Sequence, residues 1–132
     1  MESKSILLEN EHDIVVARGE VRSLAAALGF GFVDQTWLAT VTSELARNVV
    51  KYARRGRLIA LPVESADGRT GLRLIFEDDG PGIPDIAAAM RDGFSTGGGL
   101  GKGLPGSKRL VAEFQLDSAP GRGTRVTVAH WI

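Results

Sequence analysis

Cysteine is absent from the sequence, which excludes disulfide bonds, zinc–thiolate sites and cysteine nucleophiles. The two histidines, His12 and His130, are far apart and form no metal-ligand spacing, so we expect both at the surface or at a sheet edge. No apolar run approaches the roughly 18 residues that cross a bilayer, and no signal pattern opens the chain. Sixteen basic and sixteen acidic residues cancel, so no net charge attracts nucleic acid or a membrane. These absences predict a cytoplasmic protein that binds neither.

What remains is the composition of a soluble globular domain, with 43% apolar and 24% charged residues. A chain of 132 residues can bury one substantial core but is too short for two. We therefore predict a single domain over residues 1–132.

Apolar residues at three- and four-residue spacing predict two helices. The first runs from Ile14 to a C-cap at Gly29, and the second is N-capped by Asp34 or Thr36 and frays near residues 53–56. We expect a loop between them. The second helix has the clearer buried stripe, formed by Leu38, Val41, Leu45 and Val49.

Turn residues at 67–71 and 119–123 separate β-favouring segments and predict antiparallel hairpins. Because Pro62 cannot donate a backbone hydrogen bond, we expect its strand to be an edge strand or a bulged one. Short helices are expected at 85–90 and from Leu104 onward. The predicted strands are residues 3–8, 58–64, 72–76, 114–118 and 124–131.

The third of these strands ends in an acidic turn with the spacing Asp78-x-Gly80-x-Gly82. Carboxylates at the end of a core strand lose hydration and usually acquire a partner. Asp78 can accept a hydrogen bond from the exocyclic amino group of adenine, while Gly82 leaves room for the base. The turn therefore points to a nucleotide pocket. A tight turn with solvated acids is the alternative, because Asp, Gly and Pro are common turn residues.

Glu44 and Asn48 lie four residues apart in the second helix, so their side chains share a face beside the buried stripe. The amide oxygen of Asn48 can bind Mg²⁺, whose other ligands would be phosphates and water. Glu44, one turn away, could orient or deprotonate a nucleophile. The alternative is a solvated helix face.

Six glycines fall among the eleven residues from Gly93 to Gly103, directly before a predicted helix. Such a loop can bind phosphate, because free backbone N–H groups and the helix dipole face the anion. A flexible loop is the alternative. A Walker-type loop is excluded, since Gly103 rather than Ser or Thr follows Lys102, and a dinucleotide fingerprint would lie earlier in the chain.

Four motifs, taken in order, resemble the N box and the three glycine boxes of the GHKL ATPase superfamily, which includes gyrase, Hsp90, histidine kinases and MutL. The motifs are Glu44-Leu-Ala-Arg-Asn48, Asp78-Asp-Gly-Pro-Gly82, Gly99-Leu-Gly-Lys-Gly103 and Gly121-Arg-Gly-Thr124. The resemblance implies an α+β fold: a two-layer α/β sandwich of the Bergerat type, with a mixed, mostly antiparallel sheet and helices on one face.

The same resemblance implies a role for each matching residue. Glu44 would be the catalytic base, Asn48 the Mg²⁺ ligand and Asp78 the adenine contact, with ATP and Mg²⁺ as cofactors. Thr124 would back the adenine pocket. Lys102 departs from the family pattern, since many members carry a small or apolar residue there. The remaining nucleotide-binding residues would be Gly80, Gly82 and Ile83 in the turn, and Gly99, Leu100, Gly101, Lys102, Gly103 and Leu104 under a short lid.

Two further segments, residues 103–114 and 126–132, most resemble the RsbT-like switch kinases of the stressosome. The resemblance implies phosphorylation of serine or threonine on STAS-domain proteins of the RsbS or RsbR type. It also implies that the released kinase activates a PP2C-type phosphatase of the RsbU type. Anti-sigma-factor kinases share all four motifs and are one alternative. A nucleotide-gated binding switch with little turnover is another.

Overall fold

The computed structural model describes residues 3–53, 55–80, 113–118 and 123–132. These residues form two layers, in which a pair of helices covers one face of a five-stranded sheet. The predicted helix at 85–90, the glycine-rich loop and the helix from Leu104 lie outside the described residues. In chain order the elements are β1 (Lys4–Leu8), α1 (Glu11–Leu28), α2 (Phe32–Ala53), β2 (Gly56–Glu64), β3 (Thr70–Asp78), β4 (Glu113–Ser118) and β5 (Thr124–Trp131).

The strands are ordered β1-β2-β3-β5-β4, and each pairing among these described strands is antiparallel. The predicted α+β sandwich and the predicted hairpin at 67–71 are confirmed, with Gly68 at a φ of 84° in the turn. The parallel component of the expected mixed sheet is not found among the described strands. Short connections join β2 to β3 and β4 to β5, which favours antiparallel pairing, whereas β1–β2 and β3–β5 are antiparallel across much longer stretches of chain.

Helix α1 begins three residues earlier than its apolar spacing predicts. The side chain of Asn10 accepts a hydrogen bond from the backbone N–H of Asp13, which caps the helix before its first apolar residue. Gly29 ends α1 as predicted, in the left-handed conformation with a φ of 98°.

Helix α2 begins at Phe32, so the expectation of a cap at Asp34 or Thr36 is wrong. The backbone N–H of Gln35 already donates to the carbonyl of Gly31 at 2.9 Å, and the Gln35 side chain donates to the carbonyl of Phe30 at 2.8 Å. Asp34 is thereby free of any capping role and lies within the first turn, where acidic side chains favour the helix dipole.

The core fills the space between the helices and one face of the sheet. Successive residues of a strand point to opposite faces, so alternate positions of the central strands are buried. The predicted stripe of α2 is confirmed, because Leu38, Val41, Leu45 and Val49 are all buried. The sheet supplies Leu58, Ala60, Leu72, Leu74, Phe76, Val126 and Val128, and α1 supplies Ile14, Ala17, Val21 and Leu24.

Pro62 lies in β2, which pairs with β1 on one side and with β3 on the other. The expectation of an edge strand is therefore wrong for β2 as a whole. The expectation is correct at Pro62 itself. The described pairing with β1 stops at Ala60, so Pro62 has a strand partner on one side only, Leu72 of β3. A missing N–H is tolerated at such a position.

The expected surface or sheet-edge position is correct for His12 and wrong for His130, which lies in β5 between β3 and β4. The His130 side chain is only 15% exposed, and its Nε2 lies 3.2 Å from Oδ1 of Asp34. Its ring stacks on Phe30 and meets the edge of Trp37. This contact ties the start of α2 to the end of β5.

Candidate functional site

The end of β3 brings Asp78 and Thr124 together. Both continue the helix-facing alternation of their strands, Asp78 after Phe76 and Thr124 before Val126. The two residues are direct cross-strand partners in the β3–β5 pairing. Side chains at such positions have Cβ atoms about 5 Å apart. Two positions predicted as nucleotide contacts, distant in sequence, therefore share one short stretch of the inner sheet face.

Asp78 is half-buried, and burial raises the pKa of its carboxyl group. Hydrogen bonds from the backbone N–H groups of Gly80 and Thr124 oppose this shift, and the neighbouring charge of Asp79 adds to it. The bond from Gly80 to Oδ1 is 2.9 Å long. A carboxylate held in this way keeps free lone pairs and can accept a hydrogen bond from a ligand amino group.

Two glycines allow the chain to close tightly around Asp78. A Cβ at Gly80 would lie 2.7 Å from the Cβ of Ala53, so this turn sits directly against the end of α2. Gly123 has a φ of 77°, and a Cβ there would collide with the carbonyl oxygen of Asp78. Gly80 was a predicted site residue, whereas Gly123 was not, although the Gly121-Arg-Gly-Thr124 motif contains it.

Ser118 supports Thr124 from the neighbouring strand. The two hydroxyl oxygens are 2.9 Å apart, and Ser118 also donates to the carbonyl of Gly123 at 3.0 Å. No sequence pattern singles out Ser118. Its role depends on the β4–β5 register, which pairs it with Thr124.

Helix α2 carries Glu44 and Asn48 on one flank of its buried stripe. Asn48 is half-buried, and the Glu44 side chain is 37% exposed, with Oε1 3.9 Å from a guanidinium nitrogen of Arg47. An ion pair of that length and exposure is weak and leaves the Glu44 carboxylate available.

The last two turns of α2 lie over the strand ends that carry Asp78. A Cβ at Gly56 would lie 2.7 Å from a methyl group of Val49, and Gly56 pairs directly with Asp78. Val49 follows Asn48, and Ala53 reaches Gly80 one turn later. The C-terminal end of α2 therefore packs against the strand ends that carry Asp78 and Thr124. Glu44 itself lines a different cavity, between α1 and α2, together with Arg18 and Arg47. Gly56 belongs to none of the sequence motifs, and its place at the site depends on the β2–β3 register.

A cavity of about 640 Å³ opens at this end of the sheet. Asp78, Thr124, Ser118 and Gly123 contribute to its lining, together with charged residues of the outer sheet face. That volume lies within the usual range for small-molecule sites.

Among the described residues, no group of three or more acidic or histidine side chains could hold a metal ion alone. The donors present fit a different arrangement, in which one amide oxygen from Asn48 supplements ligands from phosphates and water. Mg²⁺ is commonly bound in that way.

Several predicted nucleotide contacts lie outside the described residues and stay predictions: Gly82, Ile83, Gly99, Leu100, Gly101, Lys102, Gly103 and Leu104.

Comparison with known proteins decides the family. Residues 33–131 match the model of the histidine kinase-, DNA gyrase B-, and HSP90-like ATPases, and that range contains all four motifs. The chain belongs to this ATPase family. The chain is 50% identical over 127 residues to the serine/threonine-protein kinase RsbT of Bacillus subtilis (strain 168), covering 96% of this chain and 95% of that one. Within the family it is therefore an RsbT-like serine/threonine-protein kinase, as predicted.

More distant relatives agree with this placement. An anti-sigma F factor of a Thermoanaerobacter species is 25% identical over 119 residues, which cover 88% of this kinase and 83% of the factor. The mycobacterial sensor histidine kinase MprB superposes with a TM-score of 0.58 at 17% identity, over 98% of this kinase and 96% of that chain. The structural likeness establishes the Bergerat-type fold. Membership of the family makes ATP the nucleotide that this kinase uses. None of its described helices is long and apolar enough to cross a membrane.

Proposed function

We propose that this kinase transfers the γ-phosphoryl group of Mg²⁺·ATP to a serine or threonine of STAS-domain proteins of the RsbS or RsbR type. Once released from these substrates, it binds and activates a PP2C-type phosphatase of the RsbU type. It acts in the cytoplasm as a single domain over residues 1–132. The observation that carries the proposal is the half-buried Asp78 carboxylate, which faces Thr124 beneath the helix that bears Glu44 and Asn48.

Asp78 binds the nucleotide in this account by accepting a hydrogen bond from the adenine amino group. Thr124 closes the pocket behind the base. Gly80 has no side chain, so the turn after β3 does not block the pocket. The raised pKa of Asp78 supports its role as an acceptor, because a desolvated carboxylate gains more from a new donor than a hydrated one does.

Glu44 serves as the base for phosphoryl transfer. The acceptor hydroxyl oxygen forms a bond to the γ-phosphorus, its proton passes to the Glu44 carboxylate, and the bond to the bridging oxygen breaks to release ADP. Mg²⁺ bound through Asn48 would supply charge neutralisation on the phosphates. Such reactions need mainly positioning and electrostatic stabilisation, which a base, a metal ligand and a loop rich in backbone donors provide.

Transfer of labelled phosphate from ATP to a purified STAS-domain protein tests this proposal. We expect the wild type to label the acceptor, and Glu44→Ala to lose transfer while it still binds ATP. Glu20→Gln is the matched control. It removes an exposed acid of α1 that pairs with Lys4 of β1, and it should leave transfer unchanged. Equal loss of ATP binding and transfer in Glu44→Ala would refute the assignment of the base.

An anti-sigma-factor activity is the second candidate, supported by the relatives of that class. Here the chain would hold a sigma factor and transfer phosphate to a STAS-domain antagonist. Co-purification with sigma factors and with a PP2C-type phosphatase separates the two proposals, since each predicts a different bound partner. A nucleotide-gated switch without turnover predicts partner binding that survives in Glu44→Ala.

A further inference from the structure

Glu77, the residue before Asp78, is clamped on the outer face of the sheet by two arginines. Its Oε1 accepts from Nε of Arg57 at 3.1 Å, and its Oε2 accepts from Nε of Arg125 at 3.1 Å and from Nη2 at 2.5 Å. Arg57 lies opposite Glu77 on β2, and Arg125 lies opposite it on β5. One carboxylate thus joins three adjacent strands.

The clamp is better placed than an ordinary surface ion pair. Both arginine side chains are 59% exposed, but the Glu77 side chain is only 19% exposed because the guanidinium groups cover it. Asp117 on β4 stands opposite Arg125, so the charges alternate across four strands. The hydrogen bonds of Arg125, followed by those of Arg57, hold the pKa of Glu77 below its usual value. A carboxylate that uses both oxygens is also geometrically fixed.

The clamp lies one residue before the candidate nucleotide contacts. The next register row is Gly56–Asp78–Thr124, with its side chains on the opposite, inner face. Asp78 is the last residue of β3, where strand pairing ends and fraying is easiest. An outer clamp on the preceding row opposes this fraying.

We propose that Glu77, held by Arg57 and Arg125, is a positioning residue for the nucleotide. It fixes the ends of β2, β3 and β5 so that Asp78 and Thr124 keep the spacing that adenine needs. This inference rests on the proposed role of Asp78 in ATP binding. It assigns the affinity of the site partly to side chains on the face of the sheet opposite Asp78 and Thr124.

The test is a double-mutant cycle in the full chain with Glu77→Gln, Arg125→Gln and both together. ATP affinity is measured by calorimetry, KM and kcat by phosphoryl transfer, and folding by thermal unfolding. We expect each single variant to weaken ATP binding and raise KM about two- to fivefold, with kcat unchanged, as the loss of one well-placed ion pair allows. The double variant should bind no more weakly than Glu77→Gln alone, because that change already removes the interaction with Arg125.

Glu20→Gln is the control, since it breaks the exposed Lys4–Glu20 pair, which is 2.7 Å long and lies on other elements. It should leave ATP affinity unchanged. If Glu77→Gln does not fold, Arg57→Gln measures the same clamp through an exposed side chain.

Unchanged ATP affinity in folded Glu77→Gln, with affinity lost in Asp78→Asn, would overturn the clamp and leave the proposed function intact. A fall in kcat rather than in affinity would overturn it as well. Full ATP binding by Asp78→Asn would overturn both, since the adenine contact would then be wrongly assigned.

Discussion

Glu77 and Asp78 are consecutive residues of β3, yet the pKa of one carboxyl is lowered and that of the other is raised. The alternation of the strand sends Glu77 to the outer face, where Arg125 and Arg57 stabilise its charge. It sends Asp78 to the inner face, where burial opposes ionisation. The charged form of Glu77 therefore stabilises the fold, whereas the charged form of Asp78 makes the fold less stable.

Asp78→Asn should make the folded chain more stable at neutral pH while abolishing ATP binding. The folded pKa of Asp78 lies above its ordinary value of 3.8, so the ionised group disfavours folding at neutral pH. As pH falls through the folded pKa, the wild-type carboxyl becomes neutral and the advantage of asparagine should shrink. Urea unfolding at a series of pH values measures this difference. An advantage that stayed constant down to pH 3 would exclude burial of the charge as its cause.

Glu77→Gln should show the opposite pH dependence. The folded pKa of Glu77 lies below its ordinary value of 4.5, so its stabilisation is complete above that value. It is lost as pH falls through the folded pKa. We expect the variant to be less stable than the wild type by at most about 1 kcal/mol at neutral pH, and the two to converge in acid. A difference in the free energy of unfolding between the two chains that stays the same at every pH would contradict the ion-pair assignment.

Asn48→Ala should remove phosphoryl transfer together with its dependence on Mg²⁺. The amide oxygen is the protein ligand proposed for the metal, and phosphates with water cannot orient the ion without it. Titration of MgCl₂ against transfer rate measures the effect, with Thr40→Ala on the same helix as the control. Thr40 is exposed, and its hydroxyl is hydrogen-bonded only within the helix in the described contacts. Normal transfer and normal Mg²⁺ dependence in Asn48→Ala would show that the ligand lies elsewhere.

Gly123→Ala should destabilise the fold and weaken ATP binding, whereas Gly19→Ala should stabilise it. Gly123 has a positive φ and no room for a Cβ beside Asp78, so the change costs about 1–3 kcal/mol. Gly19 lies on the exposed side of α1 with nothing within 4 Å of an added Cβ, where alanine contributes about 0.5–1 kcal/mol. Chemical unfolding of both variants provides the measurement. Similar changes in the free energy of unfolding for both variants would contradict the close approach of Gly123 to the backbone of Asp78.

The buried face of α2 and the hairpin at 67–71 were predictable because patterns within short segments of the sequence determine them. The stripe of α2 follows from its helical spacing, and the hairpin at 67–71 follows from its turn residues. Asp78 could be selected because acids at the end of an apolar strand are unusual, and Gly80 because it follows at the right spacing. The shared helix face of Glu44 and Asn48 could be predicted from their four-residue spacing alone.

The remaining features depend on contacts between elements, which a single sequence does not display. His130 is a partly buried partner of Asp34 because β5 ends beside the start of α2. Ser118 and the Glu77 clamp depend on strand register. The start of α2 was misplaced because exposed apolar residues at Phe32 and Val33 resemble loop anchors, and a glutamine side chain caps the preceding loop.

Calorimetric titration of Mg²⁺·ATP into the wild type and into Asp78→Asn measures whether Asp78 binds the nucleotide. Asparagine keeps the shape of the side chain and its oxygen acceptor for the Gly80 N–H, but removes the charge that is proposed to bind adenine. The account predicts saturable binding by the wild type and none by the variant, which thermal unfolding should show to be folded. Equal binding by both chains would contradict the assignment of Asp78 as the adenine contact.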